Sequence, residues 1–214
     1  MLRPSLPVDV GPRSQRQRIV AAMLESCAEK TYAATTISDI VARACISRTT
    51  FYKHFPDKRT CFDATLEFAL DELRAVAAAS VSRADSPAEA VRKTSAALLE
   101  TLAARPELAQ LLAAEAVAVD PASPHRYGQI LVPALEGLWS KDGTPVRHTD
   151  PGLVAGRAHL LIFSEIAGGR ADRLPQLHPE MVYLALVPFA GHEEAVRQSR
   201  LAHEDICADA VAQP

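Results

Sequence analysis

Apolar residues recur in the first part of the chain with the spacing of three successive helices. A first stripe, at i, i+3, i+4 and i+7, consists of Val20, Met23, Leu24 and Cys27. A second, shorter stripe consists of Ile37, Ile40, Val41 and Ala44. Phe51 and Phe55 then stand four residues apart. Because positions three and four residues apart share one face of a helix, the pattern predicts three helices, of which the last two are short.

Polar residues and a proline mark where these helices begin and end. Thr36 precedes the second helix, and Asp39 three positions later completes a sequence close to a capping box. Ser47 can cap the third helix, and Pro56 makes its continuation unfavourable. Asp57 can cap a fourth helix. Two short helices separated by three residues and supported by a third are typical of a helix-turn-helix.

The rest of the chain predicts more helices and no strand. The fourth helix extends to about Ser82, and breaks follow at Ser86-Pro87 and Arg105-Pro106. Residues 120–124 and 141–150 have the composition of loops. Residues 151–168 are apolar on more than one face, which predicts burial inside the subunit or against a partner. We therefore expect an all-α fold: a three-helix N-terminal unit joined by a long helix to a larger helical C-terminal domain.

Charge divides the chain into two unlike parts. Between Gly11 and Thr60 there are nine basic and four acidic residues, although the whole protein has a net charge of −3. The segment from Cys61 onward is correspondingly acidic. A basic end on an acidic body favours contact of the first part with a polyanion.

Several other classes of protein are disfavoured by what the chain does not contain. No apolar run approaches the roughly 20 residues that cross a bilayer, and residues 1–12 lack the apolar core of a secretory signal. We therefore expect a cytoplasmic protein with no membrane partner. The four cysteines form no C-x-x-C pair, and they are interpreted as small apolar residues, with no disulfide framework.

Two adjacent stretches carry a resemblance to a known family. Residues 32–44 are followed by residues 46–58, which contain a serine cap, a short polar helix and then Phe-Tyr-x-His-Phe-x-x-Lys. On these residues, the region from about Arg16 to Leu66 resembles the DNA-binding domain of the tetracycline-repressor (TetR) family. The resemblance implies a transcriptional regulator, usually a repressor, that works as a homodimer. Its C-terminal domain would bind a small-molecule effector and change the spacing of the two DNA-reading units.

With this resemblance we expect three parts in the chain. Residues 1–12 form a flexible tail, residues 13–60 the helix-turn-helix DNA-binding domain, and residues 61–214 a helical domain for effector binding and dimerisation. The sequence departs from the family at Thr31, which ends the first helix, and at Cys45, which enters the turn, since members usually have glycine there. Each non-glycine costs about 1 kcal/mol if the left-handed conformation is kept. We expect the turn to persist, strained or adjusted.

Candidate DNA contacts follow from the chemistry of a recognition helix, which presents its N-terminal side chains to base edges in the major groove. The candidates for base contacts are Arg48, Thr49, Thr50 and Lys53. The candidates for phosphate contacts are Thr36, Ser47, Tyr52, His54 and Lys58. A dimer presents two such helices, so double-stranded operator DNA should be near-palindromic.

The C-terminal part offers weaker signals. Candidate residues for lining an effector pocket are His125, Tyr127, Trp139, His159, Phe163 and Glu165. Residues 151–169 and 178–191 are candidates for the dimer interface, although the same hydrophobicity would also suit the core of the domain itself. His203 and Cys207 are four residues apart, but two ligands do not make a metal site. We expect neither a metal nor another cofactor.

Two other functional classes compete with a DNA-binding regulator. The chain has no Gly-rich phosphate loop, no H-E-x-x-H and no G-x-S-x-G, so an enzyme is disfavoured. A helical interaction module or ligand-binding protein that has lost DNA binding remains open. Folding does not require the polar residues Arg48, Thr49, Thr50, Tyr52 and Lys53 at their positions, which favours the DNA-binding regulator.

Overall fold

The computed structural model describes residues 14–122, residue 130 and residues 151–212, and throughout these residues the regular structure is helical. The first four helices are α1 (Gln15–Lys30), α2 (Ile37–Arg43), α3 (Arg48–His54) and α4 (Lys58–Val81). Then follow α5 (Pro87–Ala104), α6 (Pro106–Gln110), a π-helical turn (Leu111–Glu115) and α7 (Ala116–Val119). The last part contains α8 (Pro151–Ala167), a 3₁₀ segment (Ala171–Leu177), α9 (His178–Ala190) and α10 (His192–Ala212). The predicted all-α fold is confirmed.

The helix starts predicted from polar residues are confirmed. Thr36, Ser47, Asp57 and Ser86 are the N-caps of α2, α3, α4 and α5, and each side-chain oxygen accepts the amide hydrogen of the residue three positions later. At Thr36 the capping box is complete, because the Asp39 carboxylate also accepts the Thr36 amide hydrogen. A cap of this kind stabilises a helix by about 1 kcal/mol.

One apolar core runs from the first helices into the body of the molecule. Ile19, Met23, Ile40 and Phe51 are fully buried where α1, α2 and α3 meet. The same cluster continues along α4 and reaches Leu111 in the π-helical turn. We call residues 14–57 the head and the remaining described residues the body; whether the domain boundary lies at 60/61 stays a prediction.

In the body α4 packs against α5, α5 packs against α9 and α10, and α8 lies beside α9. On α9, Val182, Leu186 and Phe189 are buried within the subunit, so these side chains belong to the core of the domain. On α8, by contrast, Leu160 is 66% exposed and Phe163 is 41% exposed. Of the two segments considered for a dimer interface, the one at 151–169 therefore offers the accessible apolar side chains.

Thr31 and Cys45, the two positions at which the resemblance leads us to expect glycine, both have a positive φ. Thr31 has φ 74° and ψ 157°, and Cys45 has φ 52°. A threonine rarely adopts the backbone conformation that Thr31 has. Holding a residue with a Cβ atom in it costs of order 1–3 kcal/mol. The positive φ expected where family members have glycine is thus confirmed at both residues.

Some predicted features lie outside the described residues: the tail at 1–12, the loop at 141–150 and the pocket candidates His125, Tyr127 and Trp139. Among the helices that are described, none combines the length and apolar character needed to span a membrane.

Candidate nucleic-acid interface and internal cavity

The third helix is held from one side and exposed on the other. Ser47 caps its start, and Phe51 points into the head, where its ring lies 5.9 Å from that of Phe55. Five side chains of α3 face solvent: Arg48, Thr49, Tyr52, Lys53 and His54. Helical periodicity accounts for this division, because Phe51 and Phe55 fall on one face and the polar residues on the others. The predicted DNA-reading residues therefore form one accessible surface.

Side chains on this surface contact neighbouring helices at its edges. The Arg48 guanidinium hydrogen-bonds the Ser38 hydroxyl on α2. The Thr50 hydroxyl lies 2.9 Å from the Ser47 hydroxyl, and a ring nitrogen of His54 lies 3.3 Å from the Gln15 side-chain oxygen on α1. Arg48 and Thr49 remain exposed, whereas Thr50 is half-buried. The structure thus brings α1, α2 and α3 together around the candidate contacts.

The start of α2 is fixed by a charge pair as well as by its cap. Lys30 on α1 donates to the Asp39 carboxylate at 2.8 Å, and the Thr36 amide and hydroxyl donate to the same carboxylate at 2.9 and 2.8 Å. The hydrogen bond from Lys30, followed by those from Thr36, holds the pKa of Asp39 well below its usual range. Thr36 is exposed and close to this charge, so it both caps α2 and belongs to the candidate surface.

Lys58 is engaged inside the molecule. Its ammonium donates to the carbonyl oxygens of Tyr32 and Thr35, each at 2.9 Å, and lies 4.2 Å from the centre of the Tyr32 ring. An ammonium has three N–H groups, and two of them are used here. The observed contacts connect α4 to the turn between α1 and α2, while the predicted contact of Lys58 with phosphate stays a prediction.

Three further contacts hold the head together, and sequence reasoning missed them. Arg43 on α2 pairs with Glu25 at 3.0 Å and also with Glu29, both on α1. The hydrogen bonds to these carboxylates raise the pKa of Arg43. Arg18 donates to the Cys45 carbonyl oxygen at 3.0 Å. The charges were visible in the sequence, but the pairing spans 14 to 27 positions and depends on how the helices pack.

An apolar cavity lies in the body. Its volume is about 90 Å³, several times the roughly 10–15 Å³ that one water molecule needs. Its walls come from α4, α5, α6, the π-helical turn, Ile130, α8 and α9, and among the lining residues are Leu73, Leu99, Leu102, Leu112, Ala113, Ile162 and Met181. Only Ser95 and His159 provide polar side chains to the described lining. Burial lowers the pKa of His159, which favours its neutral form.

The head matches a family model over residues 19–65, that of "Bacterial regulatory proteins, tetR family". The match covers α1, α2, α3 and the beginning of α4, which are the elements that build the exposed polar surface. Over residues 19–65 the chain thus matches the N-terminal region of the tetR family. That family consists of bacterial transcription regulators, and the matched region is their DNA-binding helix-turn-helix. No curated protein sequence matches the chain.

Solved structures resemble the fold of this chain over most of its length. The fatty acid degradation regulator FadR from Bacillus halodurans is 17% identical, with a TM-score of 0.64, over 79% of this chain and 96% of that one. FadR from Bacillus subtilis in complex with stearoyl-CoA is 16% identical, with a TM-score of 0.65, over 81% and 97%. AibR in complex with isovaleryl coenzyme A and operator DNA is 17% identical, with a TM-score of 0.59, over 82% and 100%. At these identities the likeness shows the fold alone.

Of the pocket candidates that the structure describes, His159 lines the cavity and the other two lie elsewhere on α8. Phe163 is largely exposed, and Glu165 pairs with Arg170 at 2.7 Å. Phe163 lies one turn after His159 at the solvent-facing edge of α8, where the two rings stack with their centroids 6.3 Å apart. The Glu165 carboxylate is held by the Arg170 guanidinium and is not part of the cavity lining. Sequence reasoning also missed Ser95 and Met181, since apolar and small residues on amphipathic helices give no signal that separates a cavity wall from a packed core.

Proposed function

We propose that this tetR-family regulator is a repressor, not an enzyme, that binds a near-palindromic operator as a homodimer and releases it when a small molecule occupies the cavity. The observation that carries the proposal is the exposed polar surface of α3, held rigidly by the Ser47 cap and by the buried Phe51. A helix fixed on one face and polar on the other suits insertion into the major groove.

Each predicted DNA contact has a role that fits its chemistry. Arg48 can leave Ser38 and take the O6 and N7 atoms of guanine, while Thr49, Thr50 and Lys53 contact neighbouring bases. Tyr52, which is 53% exposed, and His54 contact phosphates, as do Thr36 and Ser47 at the N-termini of α2 and α3. The remaining N–H of Lys58 can donate to a phosphate without loss of its two internal bonds.

The apolar face of α8 is the surface we propose for the second copy. Leu160 and Phe163 are exposed three residues apart on one helix, and Ala167 follows four positions later on the same face. Apolar side chains at this spacing form a seam that a symmetry-related helix can cover, and a two-fold interface uses the same patch on both subunits. Covering it would also place two α3 helices in one particle, as a palindromic operator requires.

An effector with an apolar chain fits the cavity. Its described lining is hydrocarbon apart from Ser95 and His159, and a charged group placed there would lose its hydration without a partner of opposite charge. Two proteins of similar fold are described with acyl-coenzyme A ligands, stearoyl-CoA in one case and isovaleryl coenzyme A in the other. We therefore propose an acyl thioester as the effector class, with the acyl chain in the cavity.

Selection of duplexes from a random DNA pool tests the DNA-binding part. We expect enrichment of a near-palindrome, with an affinity that falls steeply as salt rises because phosphate contacts release counterions. Arg48→Ala should weaken binding by about 1–3 kcal/mol and relax the preference at one position of each half-site. Arg200→Ala, which removes an exposed arginine from α10, is the control and should bind as the wild type does. A selection that enriches no sequence would favour an interaction module instead.

Assembly and effector response need separate measurements. Leu160→Glu should convert a dimer into a monomer in sedimentation experiments, because it places a charge in the proposed apolar seam. Stearoyl-CoA and isovaleryl coenzyme A, added separately to the complex with the selected duplex, should release the DNA in at least one case. If wild type selects a near-palindrome but neither thioester changes its affinity for that duplex, the acyl thioester proposal is wrong and the DNA-binding proposal stands.

A further inference from the structure

We propose that Glu115 couples the cavity to the DNA-binding head, through a change of helical register in the π-helical turn that makes or breaks its hydrogen bond to the backbone of Tyr32. The inference rests on the proposed ligand-responsive function and names how that cavity would act on the head.

The π-helical turn is an irregularity at the boundary between cavity and head. Residues 106–119 form one helical stretch, but its middle five residues, Leu111–Glu115, have the wider π-helical form. A π-helical turn accommodates an extra residue, and such turns are frequent at functional sites. Leu112 and Ala113 of this turn line the cavity. The irregularity therefore borders the space that a ligand would enter.

Glu115, the last residue of the same turn, contacts the head. Its side chain is largely buried, at 6% exposure for the residue, yet its carboxylate accepts the amide hydrogen of Tyr32 at 2.6 Å. The other oxygen accepts from the Gln110 side-chain amide at 3.3 Å. A buried carboxylate is costly unless it is hydrogen-bonded, so the position of Tyr32 and the position of this carboxylate are energetically linked.

Tyr32 is a point from which a displacement reaches the DNA-binding surface. It follows Thr31, which ends α1 in a strained conformation, and it precedes Thr36, the cap of α2, by four positions. Its carbonyl oxygen accepts a hydrogen bond from the Lys58 ammonium at the start of α4. The centre of its ring lies 4.5 Å from the centre of the Phe62 ring. A movement of Tyr32 would therefore shift the starts of α2 and α4 relative to α1.

The two registers of the turn would place Glu115 differently. When the π-helical turn converts to regular α-helix, the following part of the helix rotates by about 100° about the helix axis and moves by about 1.5 Å along it. A carboxylate that moves this far cannot keep the hydrogen bond to the Tyr32 amide. A ligand acts on this equilibrium by its different contacts with Leu112 and Ala113 in the two registers, as any effector of a two-state element must.

A double-mutant cycle tests the coupling without a ligand. Ala113→Leu adds bulk to the cavity from the π-helical turn, and Glu115→Ala removes the contact with Tyr32. The affinity of wild type, both single variants and the double variant is measured on the duplex selected with wild type. We expect Ala113→Leu to weaken DNA binding about tenfold when Glu115 is present and by less than about twofold when it is absent. An equal loss in both backgrounds, or no loss in either, would overturn the proposal.

Controls separate coupling from general damage. Ala185→Leu adds the same bulk from α9, outside the turn, and should have a smaller effect that does not depend on Glu115. Hydrogen exchange gives a second measurement if Glu115→Ala does not fold: Ala113→Leu alone should speed exchange of the Tyr32 amide about tenfold while that of Ile40 is unchanged. Unchanged exchange at Tyr32 would overturn the proposal. Failure of wild type to select any duplex would instead contradict the proposed function, since the exchange result does not require DNA.

Discussion

The head of this molecule is fixed by capped short helices and ion pairs, whereas the body consists of long helices around a cavity. In the head, short helices are capped by Thr36 and Ser47, and ion pairs such as that of Arg43 with Glu25 fix one helix to the next. In the body, long helices surround an apolar cavity and include a π-helical turn. A surface that reads base edges needs fixed geometry, whereas a part that responds to a ligand needs space and an alternative conformation. The difference predicts that the body deforms more readily than the head and acts on the head through their contact at Tyr32.

The largest effect that separates the two regions is expected from Phe51→Ala. Phe51 is fully buried in the small core of the head, so truncation should lower the free energy of unfolding by about 3–5 kcal/mol through lost burial and an added cavity. Tyr52→Ala, at the neighbouring exposed position, should change the free energy of unfolding by less than about 0.5 kcal/mol while still weakening DNA binding. Urea denaturation followed by circular dichroism measures the free energy of unfolding of both variants. Similar losses for the two variants would contradict the division of α3 into a buried and a DNA-reading face.

The head was largely predictable because its signals are local. The Thr36 capping box, the Ser47 cap and the Phe51–Phe55 spacing each lie within three or four residues, which is the range over which helix rules operate. Arg18 and Arg43 were not assigned, because their partners are far away in the sequence and the choice between solvent and an ion pair depends on tertiary packing.

The body was predictable only as a set of helices. Nothing in the sequence around Leu111 separates a π-helical turn from an α-helix, since both carry apolar residues at similar spacing. Glu115 reads as an ordinary surface carboxylate until α1 is placed beside it. Likewise, the orientation of α8 that brings His159 to the cavity and leaves Phe163 exposed is set by packing against α9 and the π-helical turn.

A second, smaller effect is expected where the head meets α4. Lys58→Met would leave the carbonyl oxygens of Tyr32 and Thr35 without their ammonium donor, and such a loss costs about 1–3 kcal/mol of unfolding free energy. Lys53→Met is the matched control: this lysine is exposed on α3, so its loss should weaken DNA binding and leave stability nearly unchanged. Denaturation with urea measures stability and anisotropy of labelled duplex measures binding. If Lys58→Met is as stable as wild type, the contact between α4 and the α1–α2 turn contributes little to the rigidity of the head.

A third effect should have the opposite sign. Thr31→Gly relieves a backbone conformation that costs of order 1–3 kcal/mol for a residue with a Cβ atom, but glycine also increases the entropy of the unfolded chain by about 0.5–1 kcal/mol. We expect a net stabilisation of about 1 kcal/mol. Ala34→Gly, in the same turn, shares the entropic cost without any strain to relieve, and it should not stabilise the protein. A rise in melting temperature for Thr31→Gly alone would show that strain, and not chain flexibility, limits the stability of this turn.

The smallest perturbation is chemical labelling of the cysteines, and it reports on the rigidity of the head directly. Cys45 and Cys207 are exposed, whereas Cys27 and Cys61 are buried in the core that joins α1 to α4. Burial raises the pKa of Cys27 to about 11 and that of Cys61 to about 12, so at pH 8 their reactive thiolate forms are about a thousandth or less of the total.

Iodoacetamide at pH 8, followed by mass spectrometry of peptides, should therefore modify Cys45 and Cys207 rapidly and the other two only when the core between α1 and α4 opens. If the head and α4 open together, Cys27 and Cys61 should be labelled at rates that fall together as stability rises in Thr31→Gly. Rapid labelling of Cys27 with Cys61 protected would show that α1 separates from α4 by local opening. In that case α1 moves independently of α4, and a ligand in the body could change the position of the head on α4.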